Sequence, residues 1–119
     1  MSPPIARVFQ LLAAGFAVAA LFHLAALIAP GLGDSSPPWR HLLFAAINVA
    51  AAVGMLRRPR GFAIAFAILC AQQIYSHGTA LVAAWRVEHR MDWASAIVLV
   101  TMPIALALLV RDARATPRP

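Results

Sequence analysis

Three histidines, His23, His41 and His77, stand inside or at the edge of long apolar stretches, together with Asn48, Gln72, Gln73, Tyr75 and Ser76. Lipid rejects such side chains unless they face protein or trapped water, so each is a functional candidate by default. Imidazole titrates near neutral pH, donates and accepts hydrogen bonds at once, and ligates copper, zinc or haem iron. Spacing narrows these choices. Gln73 and His77 are four residues apart and share a helical face, which Cys70 and Phe66 extend, while His41 and Asn48 also fall close to one face. No HxxxH or HExxH pattern occurs, and Ser76 points to a different side of a helix from its neighbour His77. Neither a metal-ligand motif nor an activated nucleophile is therefore legible, and no catalytic residue is assigned. No Asp or Glu lies within the apolar stretches, which argues against a proton relay through them.

The reading these residues favour is one polar pocket lined by His23, His41, Asn48, Gln73, Tyr75 and His77. Mixed donors and acceptors beside the flat walls of Tyr75 and phenylalanines suit a lipophilic small molecule such as a quinone, isoprenoid or sterol-like compound. Two other readings compete. The imidazoles could hold a metal or haem in a redox protein, or the polar groups could serve only as bonds between helices, contributing about 0.6 kcal/mol each. Cofactor and metal are left unspecified by the sequence.

The elements that must position these groups are four apolar runs, read as helices at about 5–29, 40–56, 61–85 and 93–111. A helix needs about 20 apolar residues to cross a hydrocarbon core of about 30 Å. Three runs fit, and the second, His41 to Leu56, is slightly short. In lipid every backbone polar group must be paired internally, so each run is expected to be helical. The fold class is thus all-α, an integral membrane four-helix bundle forming a single domain over residues 1–119. Hydrophobic residues at 62%, charged residues at 12% and a mean hydropathy of +0.79 exclude an ordinary water-soluble domain. Small residues crowd the first two runs, so those helices are expected to touch. Arg7 before an apolar stretch has the look of a secretory signal, but the stretch is too long for a signal core and contains His23, so it is read as a retained helix.

All ten basic residues are arginines, and they gather at the ends of the runs, where they meet lipid phosphates rather than nucleic acid. With the amino terminus inside, Arg7, Arg57, Arg58, Arg60, Arg111, Arg114 and Arg118 fall on the inner side and only Arg40, Arg86 and Arg90 outside. That asymmetry predicts a multi-pass inner-membrane protein with both termini cytoplasmic. Trp39, Trp85 and Trp93 then all lie at the outer interface, where tryptophan collects. The same topology puts the three histidines in the outer half of the bilayer. The single cysteine, Cys70, allows no internal disulfide. Asp92 is the expected N-cap of the fourth helix, and Pro103 is expected to bend it. Partners implied are membrane lipids, a lipophilic ligand, and a larger membrane complex or a homo-oligomer.

The stretch from Arg40 through Gly54, Met55, Leu56, Arg57, Arg58, Pro59, Arg60 and Gly61 to Gln73 and His77 resembles DoxX-like small membrane proteins. Those are four-helix bundles in which a second helix ending in a Gly-Leu-Leu run meets a third through a Pro/Arg turn. The resemblance implies an accessory subunit, sometimes linked to redox enzymes and quinone chemistry. Members often carry an acidic residue in the second helix where this chain has Asn48, so a role resting on that charge does not carry over.

Overall fold

The computed structural model describes residues 3–32 and 36–115, which are helical apart from short connections. Arg118, counted on the inner side, lies outside the described residues. Helix α1 spans Pro3–Ile28 and is followed by a 3-10 turn at Pro30–Leu32; α2 spans Pro38–Arg57, α3 Phe62–Glu88 and α4 Trp93–Ala115.

Local chemistry accounts for the boundaries. Pro38 opens α2, where its missing N–H is no loss. Arg58 closes α2 in a left-handed conformation (φ 46°), its N–H donating to the Gly54 carbonyl at 2.7 Å. Gly61, at φ 76°, supplies the turn before α3 that a side chain would strain. His89 ends α3 in the same left-handed manner (φ 51°). Asp92 caps α4, as its place in the sequence predicts: its Oδ1 accepts the Ser95 N–H at 3.1 Å. Helix α4 runs unbroken through Pro103.

The chain divides into two compact units, Met1–Pro59 and Arg60–Pro119, each a helical hairpin. In the first, α1 packs on α2, as their small residues predict. Ala13, Ala20, Ala26, Ala45, Ala51 and Gly54 are all buried, and side chains this small let helix backbones approach closely. In the second, α3 packs on α4. Its buried positions include Phe66 and Cys70 on α3 and Met102, Ala105, Leu109 and Asp112 on α4, at helical spacing.

Helices α1, α2 and α4 are long and apolar enough to cross a membrane. Only 17%, 28% and 22% of their most apolar stretches is buried, so most of that surface is apolar and outward-facing, a condition that suits lipid better than water. The outcome differs from the sequence reading in two places. The second run looked short, but α2 begins at Pro38 and reaches 20 residues. The third looked sufficient; yet α3, although 27 residues long, is not among the three. Gln72, Gln73, Tyr75, Ser76 and His77 interrupt its middle and lower its hydropathy. Such a helix crosses lipid only with that polar segment sheltered.

Candidate functional site

Each hairpin carries a histidine-centred contact between its two helices, and each joins residues 18 apart in sequence. In the first unit, α1 brings His23 and α2 brings His41 so that their Nδ1 atoms lie 3.2 Å apart. His41 is buried and His23 half-buried. One imidazole must present N–H and the other a lone pair, so this contact tolerates one added proton at most: two imidazolium rings would turn N–H against N–H. His23 stacks on Phe44, with centroids 5.6 Å apart and planes at 23°, and the Arg40 guanidinium lies 5.7 Å from the Phe44 ring centre. Charge, aromatic face and imidazole therefore form a continuous run at this end of the hairpin.

In the second unit, His77 on α3 meets Ser95 in the first turn of α4, Nδ1 to Oγ at 2.9 Å. The Ser95 hydroxyl donates to Asp92 Oδ2 at 2.6 Å, and Ser95 is 2% exposed. That direction decides the rest. A serine hydroxyl has one hydrogen, and the carboxylate takes it, so Ser95 can only accept from His77, whose Nδ1 therefore carries the proton. His77 Nε2 is then the accepting nitrogen of the neutral ring. The order imidazole, hydroxyl, carboxylate is also the wrong one for a nucleophilic serine, in which imidazole takes the hydroxyl proton. The hydrogen bonds from the Ser95 hydroxyl and then its backbone N–H hold the Asp92 carboxyl below the usual carboxylate range, with the Arg90 charge adding to the same effect.

The remaining sequence candidates are placed less tightly. The Asn48 amide donates to the Phe44 carbonyl one turn back on its own helix, at 2.8 Å, and is half-buried. The Gln73 amide donates to Gln72 Oε1 at 2.7 Å. Tyr75 is 76% exposed. His23, His41 and Asn48 thus belong to the first unit, and Gln73, Tyr75 and His77 to the second. The stripe read from spacing on α3 holds: Phe66 and Cys70 are buried, Gln73 and His77 half-buried.

Three residues escaped the sequence reading. Ser95 was passed over because it sits 18 positions from its histidine; the Asp-x-x-Ser spacing of a helix cap was the available signal. Asp92 was read as a cap alone, although its second oxygen anchors the chain to His77. Asp112 was placed beyond the last helix, but α4 extends to Ala115 and buries it at 9% exposure. The reading that ended the fourth helix at 111 and left Asp112 outside it is corrected accordingly. Its spacing from Met102, Ala105 and Leu109 marks the same helix face.

Among the described residues, no three His, Cys, Asp or Glu side chains gather as a metal cluster would require. No family model matches the chain. No curated protein matches it, and no solved structure does.

Proposed function

We propose that this chain is a multi-pass inner-membrane protein, with both termini cytoplasmic, that binds the polar end of a lipophilic small molecule at its histidine-centred helix contacts, or uses them to seat itself in a larger membrane complex. It is non-catalytic in this reading. The observation that carries it is the His77–Ser95–Asp92 chain. An imidazole held in one tautomer by a buried hydroxyl and an ionised carboxylate is a pre-oriented hydrogen-bonding group, and it stands on a hairpin whose outer faces are apolar. Depth supports the same reading: α3 continues beyond His77 to Glu88 for about 16 Å, whereas α4 begins only about 3 Å before Ser95. The imidazole is therefore level with the start of α4, and in the proposed topology that end of the hairpin lies toward the outer interface, where an amphiphile keeps its polar end. An accessory role accords with the DoxX-like resemblance.

The test is to purify His77→Ala and His23→Ala in mild detergent and compare thermal stability and co-purifying small molecules by mass spectrometry. Loss of a specific molecule with little change in stability is the expected result. An unchanged set of bound molecules together with lower stability would show that the histidines only tie helices together.

A second reading has its own observation. Two imidazole nitrogens bound to one tetrahedral ion at about 2.0–2.1 Å lie about 3.3 Å from each other, close to the 3.2 Å between His23 and His41. The pair alone supplies two ligands, so water or a further group would complete the sphere. Elemental analysis and a visible spectrum of the purified protein decide this: stoichiometric zinc or copper, or a Soret band, would displace the first reading.

A further inference from the structure

Starting about one turn from His77 and running toward the C-terminal end of α4, α3 and α4 leave an open groove of about 720 Å³. Its walls are apolar, with Ile74 from α3 and Leu106, Ala107 and Val110 from α4, and it ends at Arg111 and Arg114. We propose that this groove holds one anionic phospholipid, with an acyl chain along the apolar walls and the phosphate at the two arginines.

Three features select this occupant. The α4 wall runs from Pro103 to Ala115, about 18 Å of helix. That is one leaflet of a hydrocarbon core of about 30 Å, with a little left for a headgroup. The charge sits where the headgroup would: Arg111 and Arg114 are three apart on one face, both exposed, and neither makes an ion pair or hydrogen bond among the described residues. Asp112, which would repel a phosphate, is buried and is not part of the groove wall. Guanidinium groups bind phosphate through paired N–H donors, and a zwitterionic headgroup offers the same accepting phosphate but with its own cation in competition. The volume lies within the range of about 300–1,000 Å³ usual for small-molecule sites.

The experiment is native mass spectrometry of the full chain, released from detergent containing equal amounts of phosphatidylglycerol and phosphatidylcholine. Wild type is expected to retain phosphatidylglycerol preferentially. Each of Arg111→Gln and Arg114→Gln should reduce that preference about fivefold, the effect of one charge at an anionic surface, and the corresponding lysine variants should keep most of it. Ala107→Phe, which fills the groove, should lower retention of both lipids. Equal retention by wild type would overturn the proposal. So would an equal loss from Arg7→Gln, which would reduce the effect to general surface charge. Unchanged retention in Ala107→Phe with loss of a dimer would overturn it too, by assigning the groove to a second copy of the chain. Circular dichroism of each variant confirms that the helices are intact, and the glutamine variants test the site even where the phenylalanine disrupts it.

Discussion

Replacing Asp92 by alanine removes two hydrogen bonds at once. Oδ1 caps α4 through the Ser95 N–H, and Oδ2 takes the Ser95 hydroxyl at 2.6 Å. Loss of a cap costs about 1 kcal/mol, and loss of a hydrogen bond to a charged group about 1.5–3 kcal/mol. Both bonds end on one carboxylate and Asp92 is partly accessible, so the terms do not add fully and the expected deficit is about 2 kcal/mol. The assay is reversible unfolding in mixed detergent micelles, followed by far-ultraviolet circular dichroism. Asp92→Asn keeps a capping oxygen and should lose less than half as much. A cycle with Ser95→Ala should show coupling of about 1 kcal/mol or more. The pH dependence has a definite sign. The folded carboxyl titrates below its ordinary value, so its stabilising contribution is complete above a pH of about 4 and is lost as pH falls through the depressed folded value. The gap between wild type and Asp92→Ala should therefore shrink in acid. A variant within about 0.5 kcal/mol of wild type at neutral pH, or a deficit that does not change with pH, would refute the assignment of His77's tautomer as well, since that assignment depends on the same ionised acceptor.

Three further outcomes follow, two from backbone conformation and one from membrane placement. Gly15 is helical and exposed with open space around an added methyl, so Gly15→Ala should stabilise by about 0.5–1 kcal/mol. Gly61 has equally open surroundings but φ 76°, so Gly61→Ala should destabilise by about 1–2 kcal/mol in the same unfolding assay. Trp39, Trp85 and Trp93 are all exposed, and in bilayers their fluorescence should be quenched more by lipids brominated near the headgroup than by those brominated at the chain end. Quenching that peaks at the bilayer centre would remove these residues from the interface.

The helices were legible because their signals are local. Runs of apolar residues long enough for lipid, Pro38 at a helix start, Gly61 at a turn and Asp92 just before the fourth run each act within a few positions, and the helix boundaries fall within four residues of those read from the sequence. The one-sided stripe on α3 was legible for the same reason, since residues four apart share a face whatever else the chain does. What the sequence could not contain was register between helices. Whether His23 faces His41, and whether His77 finds Ser95 and not its neighbour Ser76, depends on how far one helix overhangs the next, and a shift of one turn would break either contact without altering any local preference. The burial of Asp112 and the opening of a groove above Arg111 have the same origin: packing distance between neighbouring helices is set by the side chains that meet, which only the folded hairpin brings together.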